Sequence, residues 1–206
     1  MAVHGKKDKD RLKAVLLEVF GTSDDEDDSS GQYQRINGLH HCRNHVDHAL
    51  QETTVKGVEA EGWFENAEMN QAMCFGSLPN WAKGLTDALP TDLLSRKIRS
   101  RQPLFDQLTV NVYAPGEGIK AHVDLERFED GIAIVSLGSA AVMDFTRDEC
   151  HERLLLQPGD VLLLEGDARY QWKHGIAAVP SEQFGGLHIQ RGWRKSITFR
   201  KLVPEG

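Results

Sequence analysis

The sequence predicts a mainly β domain with flanking helices, a sandwich or jelly roll. Three observations carry this. From residue 108 onward apolar and polar residues alternate with period two, the spacing that turns one side of a strand toward a core. The runs are cut by Pro-Gly or Gly-rich turns at Pro115-Gly116, Gly131 and Pro158-Gly159. No helix-length pattern separates them, so short strands follow one another directly, as in antiparallel architectures.

Taken in order, residues 7–20 show helical spacing, with Leu12, Val15, Leu16 and Phe20 on one stripe. The stretch GTSDDEDDSSGQ that follows is acidic and free of apolar side chains, which reads as a disordered linker. The expected organisation is a helical extension over 1–22, an acidic flexible linker over 23–32 and a single domain over 33–206. Within the domain, Asn37 to Glu52 reads as helical or mixed, and EGWF (61–64) as the end of a strand. LPNWAKGLTDALP reads as a short helix with Trp81, Leu85 and Leu89 along one side, closed by Pro90. The β-rich runs are then LTVNVYAPGEGI, GIAIVSLGSAAVMDF, RLLLQPGDVLLLEGDARYQW and WRKSITFRKL.

Composition narrows the class. The 206 residues suffice for one domain with a sizeable core, and 40% hydrophobic with 27% charged residues is ordinary for a globular chain. No apolar run approaches a membrane span, and the N-terminus lacks the apolar stretch of a signal peptide. Cytosol or nucleus, no membrane and a monomeric state are the expectations. Three distant cysteines do not make a disulfide framework. The net charge of −7 speaks against a generally basic nucleic-acid binder, but the DDEDD run holds most of that excess. A local basic surface stays possible.

The chemistry gathers around IKAHVDLERF. If this segment is a strand, His122 and Asp124 share a face, with Glu126 at the same parity. His174 in QWKHGI lies fifty residues after Asp124, far enough for the chain to return on another strand. Two histidines and one carboxylate form the facial triad of non-haem Fe(II) oxygenases, with open positions left on the metal, whereas zinc favours a tetrahedral site. H-x-D alone arises often by chance. In RKSITFRK, Arg194, Ser196, Thr198 and Arg200 share one parity and Ile197 and Phe199 the other. Inside a sandwich the arginines would need carboxylates, and a dicarboxylate ligand supplies them; on an edge strand they would simply be solvated. Asn111 and Tyr113 share a parity on the strand before His122, and serve either a ligand or the core.

Two further clusters carry alternatives. In HHCRNHVDH, His41 and His45 stand at helical spacing and either bind zinc with Cys42 or His48 or form a polar face. SRKIRSRQP concentrates Arg96, Lys97, Arg99 and Arg101, which either grip phosphates or sit on a solvated helix end.

Together these residues resemble the AlkB family of Fe(II)/2-oxoglutarate dioxygenases. The matching pieces are N-x-Y-x-x-G-x-x-I at Asn111 to Ile119, H-x-D at His122 and Asp124, HGI at His174 to Ile176, and R-x5-R at Arg194 to Arg200. They occur in order from about residue 108 to 202. NQAMCFG at Asn70 to Gly76 is similar to the family's substrate-lid strand.

The resemblance implies a double-stranded β-helix, or jelly roll, with Fe(II), 2-oxoglutarate and O2 as its reactants. It places Fe(II) on His122, Asp124 and His174, and 2-oxoglutarate on Asn111, Tyr113, Arg194, Ser196 and Arg200. It turns Arg169, Tyr170, Trp172, Glu126, Asn70 and Gln71 toward the substrate. FEDGIAIVSLGSAAVMDF and ARYQWKHGI look most like the branch that hydroxylates modified wobble uridine in tRNA. That branch usually carries an RNA-recognition domain and sometimes a methyltransferase, neither of which is expected here. The implied function is oxidation of a carbon on a modified or alkylated nucleobase, with tRNA favoured. Repair demethylation of N-alkylated bases and a protein substrate are the alternatives.

Overall fold

A computed structural model describes residues 36–204 apart from residue 67. The predicted leading helix, the acidic linker and the start of the domain at residue 33 lie outside the described residues.

The chain enters through strand β1 (Leu39–Cys42) and helix α1 (His48–Ala60). Asp47 starts α1 by accepting a 2.8 Å hydrogen bond from the Leu50 amide, one of the helix's otherwise unpaired donors. The expected mixed segment is thus a strand, a turn and a helix. EGWF is not a strand end but the turn that closes α1, where Gly62 takes φ +69. Its aromatic content misleads because Trp63 and Phe64 pack against the core between helices, with Trp63 edge-on to Trp81 at 6.4 Å. Strand β2 (Gln71–Phe75) and helix α2 (Asn80–Asp87) follow, the latter burying Leu85 as predicted. A short helix α3 (Arg96–Arg99) leads into the β-rich half.

That half holds β3 (Gln107–Tyr113), β4 (Ile119–His122), β5 (Ile132–Gly138), β6 (Ala141–Arg147), β7 (Cys150–Leu156) and β8 (Val161–Leu164). A helical turn α4 (Gly166–Tyr170) precedes β9 (Lys173–Ile176), β10 (Ser181–Phe184), β11 (Leu187–Gln190) and β12 (Arg194–Arg200). The strand expected through EGDARYQW therefore breaks at Gly166, and Arg169 and Tyr170 lie on a helical turn. Hairpin β10–β11 turns at Gly185-Gly186, both at positive φ, a two-glycine signal the strand reading passed over.

All strand pairs among the described residues are antiparallel. The larger sheet runs β1-β8-β5-β12-β3-β2 and the smaller β4-β9-β6-β7. Alternation sorts the larger sheet into two faces. Ile197 and Phe199 of β12, Leu108 and Val110 of β3, and Ala133 and Val135 of β5 join Val58 of α1 and Leu85 of α2 in one apolar cluster. The opposite face is polar although buried: Thr109, Ser136, Ser196 and Thr198 are each 5% exposed or less. It looks across a cavity to β4, β6 and β9 of the smaller sheet. The jelly roll is thus three layers, with helices outside and the cavity between the sheets.

Register fixes what meets across that face. Arg194 lies opposite Tyr113 and Gly138, Ser196 opposite Asn111 and Ser136, Thr198 opposite Thr109 and Ile134, and Arg200 opposite Gln107. On the smaller sheet His122 lies opposite His174. Gly175 permits that approach, because a Cβ there would stand 2.7 Å from the Ala121 nitrogen.

Candidate functional site

The β4–β9 register sets the two imidazoles side by side, with ring centroids 4.6 Å apart. Asp124 lies two residues past the end of β4, so strand parity alone does not place it. Its loop is held instead, and one ligand atom from each of His122, Asp124 and His174 falls within 4.8 Å of the others. This is the one group of three or more potential ligands brought together among the described residues. His122 Nδ1 sits 2.9 Å from the Lys120 carbonyl; donating to it fixes the tautomer and bares Nε2 as a ligand. Asp124 Oδ1 accepts from Arg200 Nε at 2.7 Å and lies 2.5 Å from Arg200 Nη2. Oδ2 is buried with no hydrogen bond. Its neighbour His174 Nε2, at 3.5 Å, is too distant for one.

Electrostatics suits a cation. Burial opposes the Asp124 charge, but Arg200, His174 and Arg169 outweigh it and hold the carboxyl below its ordinary range. Burial lowers His174 to about 4 against the pull of Asp124, so its imidazole is neutral at neutral pH. A bare carboxylate oxygen beside two imidazoles, with that of His174 held neutral, fits a divalent metal of Fe(II) type.

Across the cavity, on β12 of the larger sheet, Arg194 is 1% exposed. One Nη2–H donates to Ser136 Oγ at 3.0 Å, and the group lies over the Tyr113 ring at 5.5 Å. Its Nε has no partner, and no carboxylate pairs with it among the described residues. Burial pushes its pKa down to about 10. Arg200 differs: besides Asp124 it donates to Gln107 Oε1 and Thr109 Oγ1. The fold thus satisfies one arginine and leaves the other short of an acceptor. The cavity between them, about 290 Å³, is also lined by Asn111, Tyr113, Ser196 and Thr198.

The mouth departs further from expectation. Gln71 lines it and donates to Asn111 Oδ1 at 2.7 Å. Asn70 does not line it; its carbonyl accepts the Val112 amide. Glu126 is exposed in a turn and points no atom into the cavity wall. Tyr170 is 49% exposed outside the cavity, and Trp172 is buried at 5%. Arg169 is 1% exposed and donates to the carbonyls of Asp124, Leu125 and Phe128 at 2.9, 2.8 and 3.0 Å. The resemblance expects these three residues at the substrate, but Arg169 and Tyr170 lie on the helical turn α4 and none of the three lines the cavity. Met73, Leu125, Arg127 and Phe128 line the mouth instead. The residues directly following H-x-D were the available signal, since a loop that positions Asp124 must also border the metal.

A family model described as the 2OG-Fe(II) oxygenase superfamily matches residues 81–200, more than half of the chain and all of the strands that carry the triad histidines and the two arginines. The chain belongs to this superfamily. Within it the chain is of AlkB type. An uncharacterized protein L905 of Acanthamoeba polyphaga mimivirus is 35% identical over 132 residues, 62% of this chain and 62% of that one. The tRNA (carboxymethyluridine(34)-5-O)-methyltransferase ALKBH8 of Macaca fascicularis is 31% identical over 206 residues, 91% of this chain but 28% of that protein. The solved structure of OsALKBH1 superposes with a TM-score of 0.56 at 17% identity over 80% of this chain and 98% of that one, which shows the shared fold. The family's Fe(II), 2-oxoglutarate and O2 agree with the donor set found here.

In this fold the other histidine cluster is structural. His41 Nε2 lies 2.8 Å from Asp160 Oδ2 and His45 Nε2 lies 2.8 Å from the Ala88 carbonyl, at separate places rather than on one helix face. Of the basic run, Arg96, Lys97 and Arg99 are exposed, while Arg101 pairs with Glu129 at 2.8 Å. Arg169 has the larger consequence, because its three carbonyl partners belong to the loop that presents Asp124. Arg169→Met keeps the bulk and loses every one of these bonds. Mn(II) affinity is expected to fall about tenfold, as for other residues that orient a metal ligand. Calorimetric titration at a temperature where the variant stays folded checks this; unchanged affinity would show that the loop holds itself.

Proposed function

We propose that the chain is an Fe(II)- and 2-oxoglutarate-dependent dioxygenase that oxidises a carbon on a modified or alkylated nucleobase, with tRNA as the favoured polymer. The observation that carries this is a buried arginine lacking a carboxylate in the same cavity as a metal-competent triad. His122 Nε2, Asp124 Oδ2 and His174 Nε2 would hold the iron. Iron held there would supply O2-dependent oxidative decarboxylation of 2-oxoglutarate, one oxygen atom going to succinate with release of CO2 and the other to a substrate C–H bond. Arg194 receives the distal carboxylate in a planar fork, with Tyr113 against its face. Ser196, Asn111 and Thr198 line the path of the cosubstrate, and Arg200 fixes the Asp124 oxygen that does not face the metal. The packed faces of both sheets exclude water from this end.

The nucleobase reading is supported by ALKBH8, whose name places it on a tRNA carboxymethyluridine. Action as a monomer in cytosol or nucleus goes with that substrate. No described helix is long and apolar enough to cross a membrane. The test is succinate release by the iron-loaded chain with modified tRNAs, alkylated oligonucleotides and peptides. Stimulation above the substrate-free rate by tRNA is expected; stimulation by peptides alone would reassign the substrate.

A further inference from the structure

Arg127 is a cation at the cavity mouth that neither the triad nor the cosubstrate end uses. It is exposed and borders the opening beside Met73 and Leu125. Its guanidinium carbon lies 5.1 Å from the Phe128 ring centroid and 5.9 Å from that of Phe75 on β2. Aromatic faces of this kind hold the group without consuming its N–H donors. Among the described residues no carboxylate is paired with it. Its basic neighbours are all engaged: Arg101 by Glu129, Arg200 by Asp124, Lys201 by Asp106, and Arg169 by three carbonyls. In a chain of net charge −7, with acidic side chains on either side in ERFED, an arginine left with free donors at the mouth is not explained by packing.

Its position relative to the triad is defined. Phe128 lies under Arg127 on one hand and under Arg200, at 5.0 Å, on the other, and Arg200 grips Asp124. A group bound by Arg127 would therefore stand one aromatic ring from the metal ligands' support. Beside Gln71 the rim presents apolar side chains, Met73 and Leu125 at 45% and 58% exposed, with Phe75, against Arg127, at 49%. Such side chains suit the faces of a planar ring, with charge recognised only at Arg127.

We propose that Arg127 is a specificity-determining residue that receives an anionic group next to the oxidised position. That anion is either a carboxylate carried on the base or a phosphate of the strand. The proposal rests on the nucleobase reading for the identity of the substrate, and on the mouth geometry for the anion.

The experiment uses the full chain loaded with Mn(II) and 2-oxoglutarate, as wild type, Arg127→Gln and Arg127→Lys. The probes are 5-carboxymethyluridine, its neutral methyl ester, and a short stem-loop RNA carrying either base, with affinities read by calorimetry and anisotropy. If the carboxylate is the anion, Arg127→Gln weakens both acid-bearing probes about tenfold and leaves the ester probes unchanged. If phosphate is the anion, both RNAs weaken alike, and the slope of affinity against salt falls by about one ion. Either pattern, with partial recovery in Arg127→Lys, supports the proposal. Equal binding of all four probes by wild type and Arg127→Gln overturns it, as does absence of binding to wild type. Succinate release is scored separately. An Arg127 effect on binding without nucleic-acid-stimulated succinate would leave the anion site standing and defeat the nucleobase oxygenase. Stimulated succinate without an Arg127 effect would do the reverse.

Discussion

His174→Ala is expected to abolish stoichiometric Mn(II) binding and all 2-oxoglutarate turnover while the domain stays folded. The imidazole is buried and kept neutral, so it contributes a lone pair at neutral pH and no structural ion pair. Asp124→Asn is the less clean probe. It strips Arg200 of its counter-charge, and breaking a buried pair costs about 3–5 kcal/mol. His122→Ala is the better companion, since the ring is half-exposed and its single hydrogen bond is to Lys120 in its own strand. A ligand that binds only the folded state stabilises it by about 2.7 kcal/mol at a hundredfold excess over Kd. For a domain of this size that raises Tm by roughly 5–10 °C. Wild type should show such a rise with Mn(II), and both alanine variants should melt at their metal-free temperature whether or not Mn(II) is present. A full metal-dependent rise in His174→Ala would remove it from the ligand set.

Arg194 offers the second large effect, with opposite signs in binding and stability. Arg194→Lys keeps the charge and loses the fork, so 2-oxoglutarate should bind about tenfold more weakly to the Mn(II)-loaded protein. Arg194→Met should lose binding altogether. Yet the ligand-free Met variant should be more stable than wild type by about 1 kcal/mol or more. It replaces a buried charge whose Nε has no partner with an apolar chain of similar length. Calorimetry reads the first quantity and denaturant unfolding the second. A variant that loses stability and retains 2-oxoglutarate affinity would make Arg194 a structural residue.

The sheet half of the fold was legible because period-two alternation is a local property, and its turns carry Pro-Gly or Gly. The inward parity of Arg194, Ser196, Thr198 and Arg200 was readable for the same reason, given a buried opposite face at Ile197 and Phe199. What failed was non-local. EGWF and EGDARYQW are rich in aromatic residues that suit strands, but Gly62 and Gly166 adopt positive φ and turn the chain at each. Once α4 is helical, Arg169 points at backbone carbonyls and Trp172 into the core, and no pattern in RYQW foretells either. Asp124 was found by its spacing to His122, although the cause of its placement lies forty-five residues away in Arg169. The mouth was least legible, because exposed residues in a turn have no periodicity to betray the cavity beside them.

Of the described strands, β12 is the last in chain order, yet it lies inside the larger sheet between β5 and β3. On a ribosome, the metal ligands at 122, 124 and 174 emerge well before Arg194 and Arg200. Until the final strand inserts, β3 and β5 each present an open edge, Asp124 has no guanidinium on Oδ1, and the cosubstrate has no anchor. A chain halted before β12 would therefore hold Asp124 loosely and lack the proposed anchor for the cosubstrate. The metal-competent group and the proposed cosubstrate seat are completed together, by the last of the described strands to leave the ribosome.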